Sequence, residues 1–493
     1  MKLFASALCL LLLCCADVGY AQPAAKIPDE PTRARAFDLS RKQWTGDFDQ
    51  MLERRMIRVI VPYSRTLYFN DKGRQRGITA DFVRDFERYL NEKYAKQLRN
   101  RPLTIVIIPG TRDRMLQDVA NGLGDIAAGN LTVTTERLKI VDFVSPAGLL
   151  TVSELLLTGP KSPAIASLDD LAGKTVHVRK ASSYYESLLL LNERFQAEGK
   201  APVAISLIPD ELEDEDIMEM LNASLFEAIV VKDWTAKMWA QVLPKIHVRT
   251  DVVVRTGERI GWAIRKNSPR LDEEIRDFYK GHVKKAHLVE SRLASYMKRI
   301  KQIKDPTRTA EWKRFEQTVA LFTKYANQYG FDPLMLLAQG YQESLLDQNA
   351  RSEVGAIGIM QIMPATGEEM KVGDIMITES NIHAGAKYMD WLMGNYFPDA
   401  EFDEFNRPLF AFASYNAGPG KISKMRKLAA KRGLDPNKWF NNVEIITAEK
   451  IGLETTTYVR NIFKYYAAYK LTLESQAAQR KARESLSQGE NRR

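Results

Sequence analysis

Short β-branched runs alternate with amphipathic stretches through the first 280 residues, and from residue 312 the pattern turns helical. Residues 57–61, 104–108 and 125–128 read as strands, separated by helical patterns at 78–94 and 112–121. In the first of these helices Phe82, Phe86 and Leu90 share a face. The alternation restarts near residue 170, with strands at 175–178, 203–207, 228–231 and 260–264. Helical patterns at 184–196, 215–222 and 271–279 lie between and after them. Such alternation predicts an α/β unit built on a parallel sheet. Two units in tandem imply two lobes, and open α/β sheets bind ligands at the carboxyl ends of their strands.

Residues 298–312 are polar, with Lys298, Arg299, Lys301, Lys304 and Pro306, and mark a boundary. Beyond it helical spacing dominates, at 312–329, 384–393 and 455–473. Asp332-Pro333 supplies an N-cap and an N1 proline for a helix running to about residue 345. The expected fold class is a two-lobed α/β domain followed by a mainly α domain. The expected division is 1–21 signal peptide, 22–50 linker, 51–297 two-lobed domain, 298–312 linker, 313–475 helical domain and 476–493 flexible basic tail.

The N-terminus changes how the other counts are read. Lys2, an apolar run at 3–15 and Gly19-Tyr20-Ala21 follow the order of a secretory signal peptide. The run is too short to span a bilayer. All three cysteines (Cys9, Cys14, Cys15) lie inside it, so cleavage after Ala21 leaves none. That excludes thiolate metal sites and cysteine nucleophiles from the mature chain. Lipidation at Cys15 is the alternative processing. The formal charge is +9 and stays +9 after cleavage, because Lys2 and Asp17 leave together. Of 493 residues, 45% are hydrophobic and 27% charged, the balance of a globular chain rather than a disordered one. No aromatic residues interleave the basic tail (Arg480, Lys481, Arg483, Arg492, Arg493), which argues against nucleic acid. The tail is read as solvated, with anionic lipid or cell-wall polymer as the other contact.

The most informative stretch is Gln342-Glu343-Ser344, followed by 352–364. Glu343 closes a helix carrying Leu336, Leu337 and Tyr341. A carboxyl set against apolar surface resists ionisation and becomes a candidate general acid near neutral pH. Ordered blocks follow: Ser352, Gly355-Ala356, Gly358, Met360-Gln361, Met363-Pro364, Ser414-Tyr415-Asn416-Ala417-Gly418, Glu454-Thr455 and Tyr458-Val459. With Glu343-Ser344 they resemble the soluble-lytic-transglycosylase domain, which has a lysozyme-like helical fold. The resemblance implies Glu343 as sole acid/base, with Ser352 and Gln361 bonding the glycan. Met363, Tyr415, Asn416, Glu454 and Tyr458 would complete the substrate groove. The implied reaction cleaves the MurNAc-GlcNAc β-1,4 bond of peptidoglycan and leaves a 1,6-anhydromuramoyl end, with no cofactor. Asp347 and Glu353 lie close enough in sequence to act as a second carboxylate. A lysozyme-like hydrolase therefore stays open, as does a non-catalytic cell-wall ligand sensor.

Residues 125–146, from Asp125-Ile126-Ala127 through Arg137 to Ser145-Pro146, look like family 3 solute-binding proteins, as does 167–174. The likeness spans about 53–295 and implies a periplasmic-binding-protein-like fold. It implies that Arg137 pairs with a ligand carboxylate, as a planar fork suits, and that Thr132 assists. Asp233 would take an α-amino group. The loop Lys180-Ala181-Ser182-Ser183 and Asn130 depart from the glycines common there, so a peptide or muropeptide is as good an effector as an amino acid. The order of modules resembles the membrane-bound lytic murein transglycosylase F family. That implies a periplasmic enzyme, peripheral to the outer membrane, whose first domain regulates the second.

Three further motifs carry less. Gly418-Pro419-Gly420-Lys421 lacks the Ser/Thr of a phosphate loop. The five histidines (177, 247, 282, 287, 383) show no metal spacing, so no metal is expected. The acidic run 210–216 reads as a solvated loop or helix start.

Overall fold

A computed structural model describes residues 42–145, 151–282 and 309–490. The expected signal peptide with its cysteines, most of both expected linkers and the last three residues lie outside the described residues.

Nine strands form one mixed sheet: β1 (Met56–Pro62), β2 (Thr104–Gly110), β3 (Ile126–Thr132), β4 (Asp142–Val144), β5 (Thr151–Thr158), β6 (Thr175–Arg179), β7 (Ala204–Ile208), β8 (Ala228–Lys232) and β9 (His247–Ile264). Their order is β2-β1-β3-β9-β5-β8-β6-β7, with β4 paired to β9. The expectation of a parallel sheet holds for the core strands of each lobe and fails at β5 and β9, with β5 antiparallel to β8 inside the second lobe. β1 runs parallel to β2 and β3, and β6 parallel to β7 and β8. β9 is antiparallel to β3, β4 and β5. Its last residues pair with β3 and β4, and its earlier part with β5, so this one strand passes from the second lobe to the first. Only 260–264 shows in the sequence pattern. The preceding stretch is exposed or half-buried apart from Val252, and polar and charged residues flank its valines, which hides the strand.

Local chemistry explains the other elements. β1 buries nearly its whole length because helices cover both faces. Helix Ile78–Lys93 buries Val83, Phe86 and Leu90 in the apolar cluster of the first lobe and leaves its charged face in water. Helix Asp214–Asn222 differs from expectation. The acidic run that feeds it is not solvated: Glu213, Asp214, Glu215, Asp216 and Glu219 are all buried, each facing cations from other elements.

The second domain is helical, as its spacing predicts, with four α-helices among the described residues beyond those the spacing marks, including Asn406–Ala417 and Pro419–Lys431. Helix Leu453–Glu490 continues through most of 476–493, so the irregular tail expected there is a helical extension over its described length. The two domains share a core. Ile445 and Ala448 of helix Glu444–Lys450 join the apolar cluster of the first lobe. The Lys72 amide donates to Ala448 O at 3.0 Å. Lys464 of the long helix bonds Asp216 and Glu219 of the second lobe at 2.9 and 2.5 Å. Among the described residues no helix is long and apolar enough to cross a membrane.

Candidate active site

Glu343 lies near the end of helix Pro333–Ser344. Asp332 starts the helix by accepting from the Leu334 and Met335 amides at 2.8 and 3.0 Å. Gly340 lets it lie against helix Thr309–Tyr329: a Cβ there would fall 2.7 Å from the Phe322 ring. Leu345 closes the helix in the left-handed region. The helix buries Met335 through Tyr341, which leaves Glu343 half-buried at the edge of the core.

Two forces act on the Glu343 carboxyl. Removal from water pushes its pKa up to about 7, and the Tyr458 hydroxyl pulls the other way. That hydroxyl donates to Oε1 at 2.5 Å. Among the described residues no neighbouring charge adds to the shift. Asp347 serves the turn after the helix, accepting from the Asn349 amide at 2.9 Å, and Glu353 is exposed. A buried carboxyl titrating near 7 is protonated often enough to donate and ionised often enough to accept.

The loop 350–362 folds over this helix end. Ser344 Oγ donates to Ile359 O at 2.9 Å. Ser352 Oγ accepts from the Ala356 amide at 2.9 Å and so shapes the loop. Gln361 sits in the left-handed region, its amide donating to Gly358 O at 2.8 Å. Tyr415 donates to Met360 O at 2.7 Å, which ties helix Asn406–Ala417 to the loop. Met363 is 42% exposed and precedes helix Pro364–Met370, an apolar side chain presented to solvent beside the loop. Asn416 is exposed and accepts from Thr455 Oγ1 at 2.8 Å. Glu454 is exposed in the first turn of the long helix. Glu343 and Tyr458 are thus in contact, and Ser352, Gln361 and Tyr415 are bonded into the loop above them.

Three supports carry no motif signal. Asn381 is fully buried. It donates to Ile357 O and Ile375 O at 2.9 Å and accepts from the Met360 amide at 2.8 Å. Gln348 donates to Ile375 O at 3.0 Å. Gln339 is fully buried, and its amide lies 3.5 Å from the Tyr458 hydroxyl. Its spacing of one helical turn from Glu343 is the signal that could have found it.

The cleft of the first domain is drawn shut by its own groups. Thr132 Oγ1 lies 3.1 Å from Ser183 Oγ, one from each lobe. Arg137 donates to Thr132 O at 3.1 Å and Ala181 O at 3.3 Å. Asp233 is not brought into the cleft. It opens helix Asp233–Ala240 and accepts from the Trp234 amide at 2.9 Å, so its carboxylate turns back on its own backbone. Lys232, one residue earlier, lines the cleft instead. Among the described residues no three His, Cys, Asp or Glu gather to hold a metal.

The family "Bacterial extracellular solute-binding proteins, family 3" matches residues 57–292, and the "Transglycosylase SLT domain" matches 320–438. Curated relatives named membrane-bound lytic murein transglycosylase F span both. The protein from Desulfosudis oleivorans is 29% identical over 376 residues, 72% of this chain and 79% of its own. That from Shewanella loihica is 28% identical, covering 79% of this chain and 82% of its own. That from Pseudomonas fluorescens Pf0-1 is 25% identical, covering 85% of each.

Proposed function

We propose that this chain, which has the two-domain architecture of the membrane-bound lytic murein transglycosylase F family, cleaves peptidoglycan with Glu343 as its single acid/base. The observation that carries this is the Glu343 carboxyl, titrating near 7 with a tyrosine hydroxyl as its partner and, among the described residues, no second carboxylate in contact.

Protonated Glu343 gives its proton to the oxygen leaving C1 of N-acetylmuramic acid. The resulting carboxylate takes the proton of the C6 hydroxyl, whose oxygen bonds to C1. The C1–O bond to the next sugar breaks, the C1–O6 bond forms, and Glu343 regains its proton. No water is consumed, and the product is a 1,6-anhydromuramoyl end. Tyr458 holds Oε1 throughout, which fixes the orientation of the carboxyl. Ser352 and Gln361 position the glycan, with Met363, Tyr415, Asn416 and Glu454 along the groove. The protein acts in the periplasm, peripheral to a membrane. Ligand binding between the lobes regulates turnover. One connection supports that coupling: helix Asp214–Asn222 reaches the cleft through Asp214 and the long helix through Asp216 and Glu219. The long helix carries Tyr458.

Digestion of purified sacculi followed by mass spectrometry tests the reaction. Anhydromuramoyl ends are expected. Reducing muramic ends would make the enzyme a hydrolase, and no released product would leave a glycan-binding sensor.

A further inference from the structure

The cleft between the lobes encloses about 160 Å³. Five cationic side chains line it (Arg112, Arg137, Arg179, Lys180 and Lys232) against three carboxylates. Most of these charges are already matched. Arg112 bonds both carboxylate oxygens of Glu213, at 2.9 and 3.0 Å. Arg179 pairs with Glu213 and Asp214, and Asp214 also accepts from the Tyr184 hydroxyl at 2.8 Å.

Two cations from opposite lobes are different. Lys232 is 5% exposed and donates to the carbonyl of Asn130 at 2.6 Å. Among the described residues it forms no ion pair. Asn130 holds that carbonyl in place from the left-handed region. Burial pushes the Lys232 ammonium down to about 7, despite the more distant charges of Asp214 and Glu154. Arg137 donates to two carbonyls, and its nearest carboxylate, Glu186, is 3.5 Å from Nε. Lys232 therefore enters the small cavity with only a carbonyl dipole as its direct partner, and Arg137 with two carbonyls and one loose ion pair to the partly exposed Glu186. A desolvated cation in that state favours an anion strongly.

A ligand ammonium finds no equivalent welcome. Asp214 is occupied by Arg179 and Tyr184, and Glu186 faces Arg137. Asp113, the remaining lining carboxylate, is exposed to water, where an ion pair is weak. Asp233 lies outside the lining.

We propose that this cleft selects a compact oxyanion, a carboxylate or phosphate group without a neighbouring ammonium, held between Arg137 of the first lobe and Lys232 of the second. The proposal rests on the cleft being the ligand site of the solute-binding domain.

Isothermal titration calorimetry of the full mature chain tests it with five probes. L-Lactate, glutarate and inorganic phosphate are oxyanions, while L-alanine and L-glutamine carry both charges. At least one oxyanion is expected to bind about tenfold or more tighter than either amino acid. Glutarate and phosphate show which oxyanion chemistry is preferred. Lys232→Met is expected to lose that advantage, with Asp233→Asn unchanged, and circular dichroism reports folding. The wild-type ranking decides even if Lys232→Met does not fold. An amino acid binding as tightly as the oxyanions overturns the proposal and leaves the cleft a ligand site. Binding by none of the five overturns both.

Discussion

Tyr458 donates its hydroxyl to Oε1 of Glu343 at 2.5 Å, across a separation of 115 residues. Further along the helix that carries Tyr458, Lys464 is buried between Asp216 and Glu219 of the other domain. One rigid element therefore touches the reactive carboxyl and the solute-binding domain.

Glu343→Gln removes the transferable proton and keeps the shape. Turnover of sacculi is expected to fall by about 10²–10⁴-fold or more, with the far-ultraviolet circular dichroism unchanged. Retained turnover would transfer the acid role to another residue.

The same substitution is expected to stabilise the protein at alkaline pH. Glu343 has a folded pKa of about 7 against an ordinary 4.5. A raised pKa means that the folded state prefers the proton. Its favourable contribution is complete below pH 4.5 and is lost as pH rises through 7. Holding the ionised form in this site costs about 3 kcal/mol, which glutamine avoids. Urea unfolding at pH 5 and pH 8 checks this: the gain of Glu343→Gln over wild type should be larger at pH 8.

Tyr458→Phe removes the hydroxyl that lowers the Glu343 pKa. The alkaline limb of the pH–rate profile should move to higher pH, and kcat should fall because the carboxyl loses its orienting bond. An unmoved limb would place the Tyr458 contact outside the reaction.

Asp216→Asn strips a buried anion from a site where Arg65, Arg460 and Lys464 converge. Leaving those cations short of charge should destabilise the chain by about 3–5 kcal/mol, read as a lowered thermal midpoint. The same cations hold the Asp216 pKa below its ordinary 3.8. Its contribution is present above pH 3.8 and is lost as pH falls through the depressed value, so the junction should hold throughout neutral and mildly acidic pH.

Asn381→Ala removes the buried amide that ties three backbone groups of the active-site loop and its neighbour. A loss of about 1–3 kcal/mol is expected, with a fall in turnover from a loosened Gln361 and Met363. Hydrogen exchange at residues 356–362 should rise.

The sequence by itself determined the two-part architecture, because hydrophobic period reports which faces are buried. It also singled out Glu343, because a carboxylate closing an apolar helix is a local conflict that a run of motif residues resolves. Periodicity cannot report partners far along the chain. Strand β9 escaped notice over most of its length because both its faces are partly wet. The acidic run 210–216 looked solvated because four of its cations come from three other places: Arg65 from a loop, Arg179 from a strand, and Arg460 and Lys464 from the long helix. Asp233 and Lys232 are neighbours, and only the turn of the chain decided that the lysine enters the cleft and the aspartate folds back onto the first turn of a helix. Tertiary structure alone set the pKa of Glu343 near 7, since desolvation depends on what packs around a group and not on what precedes it.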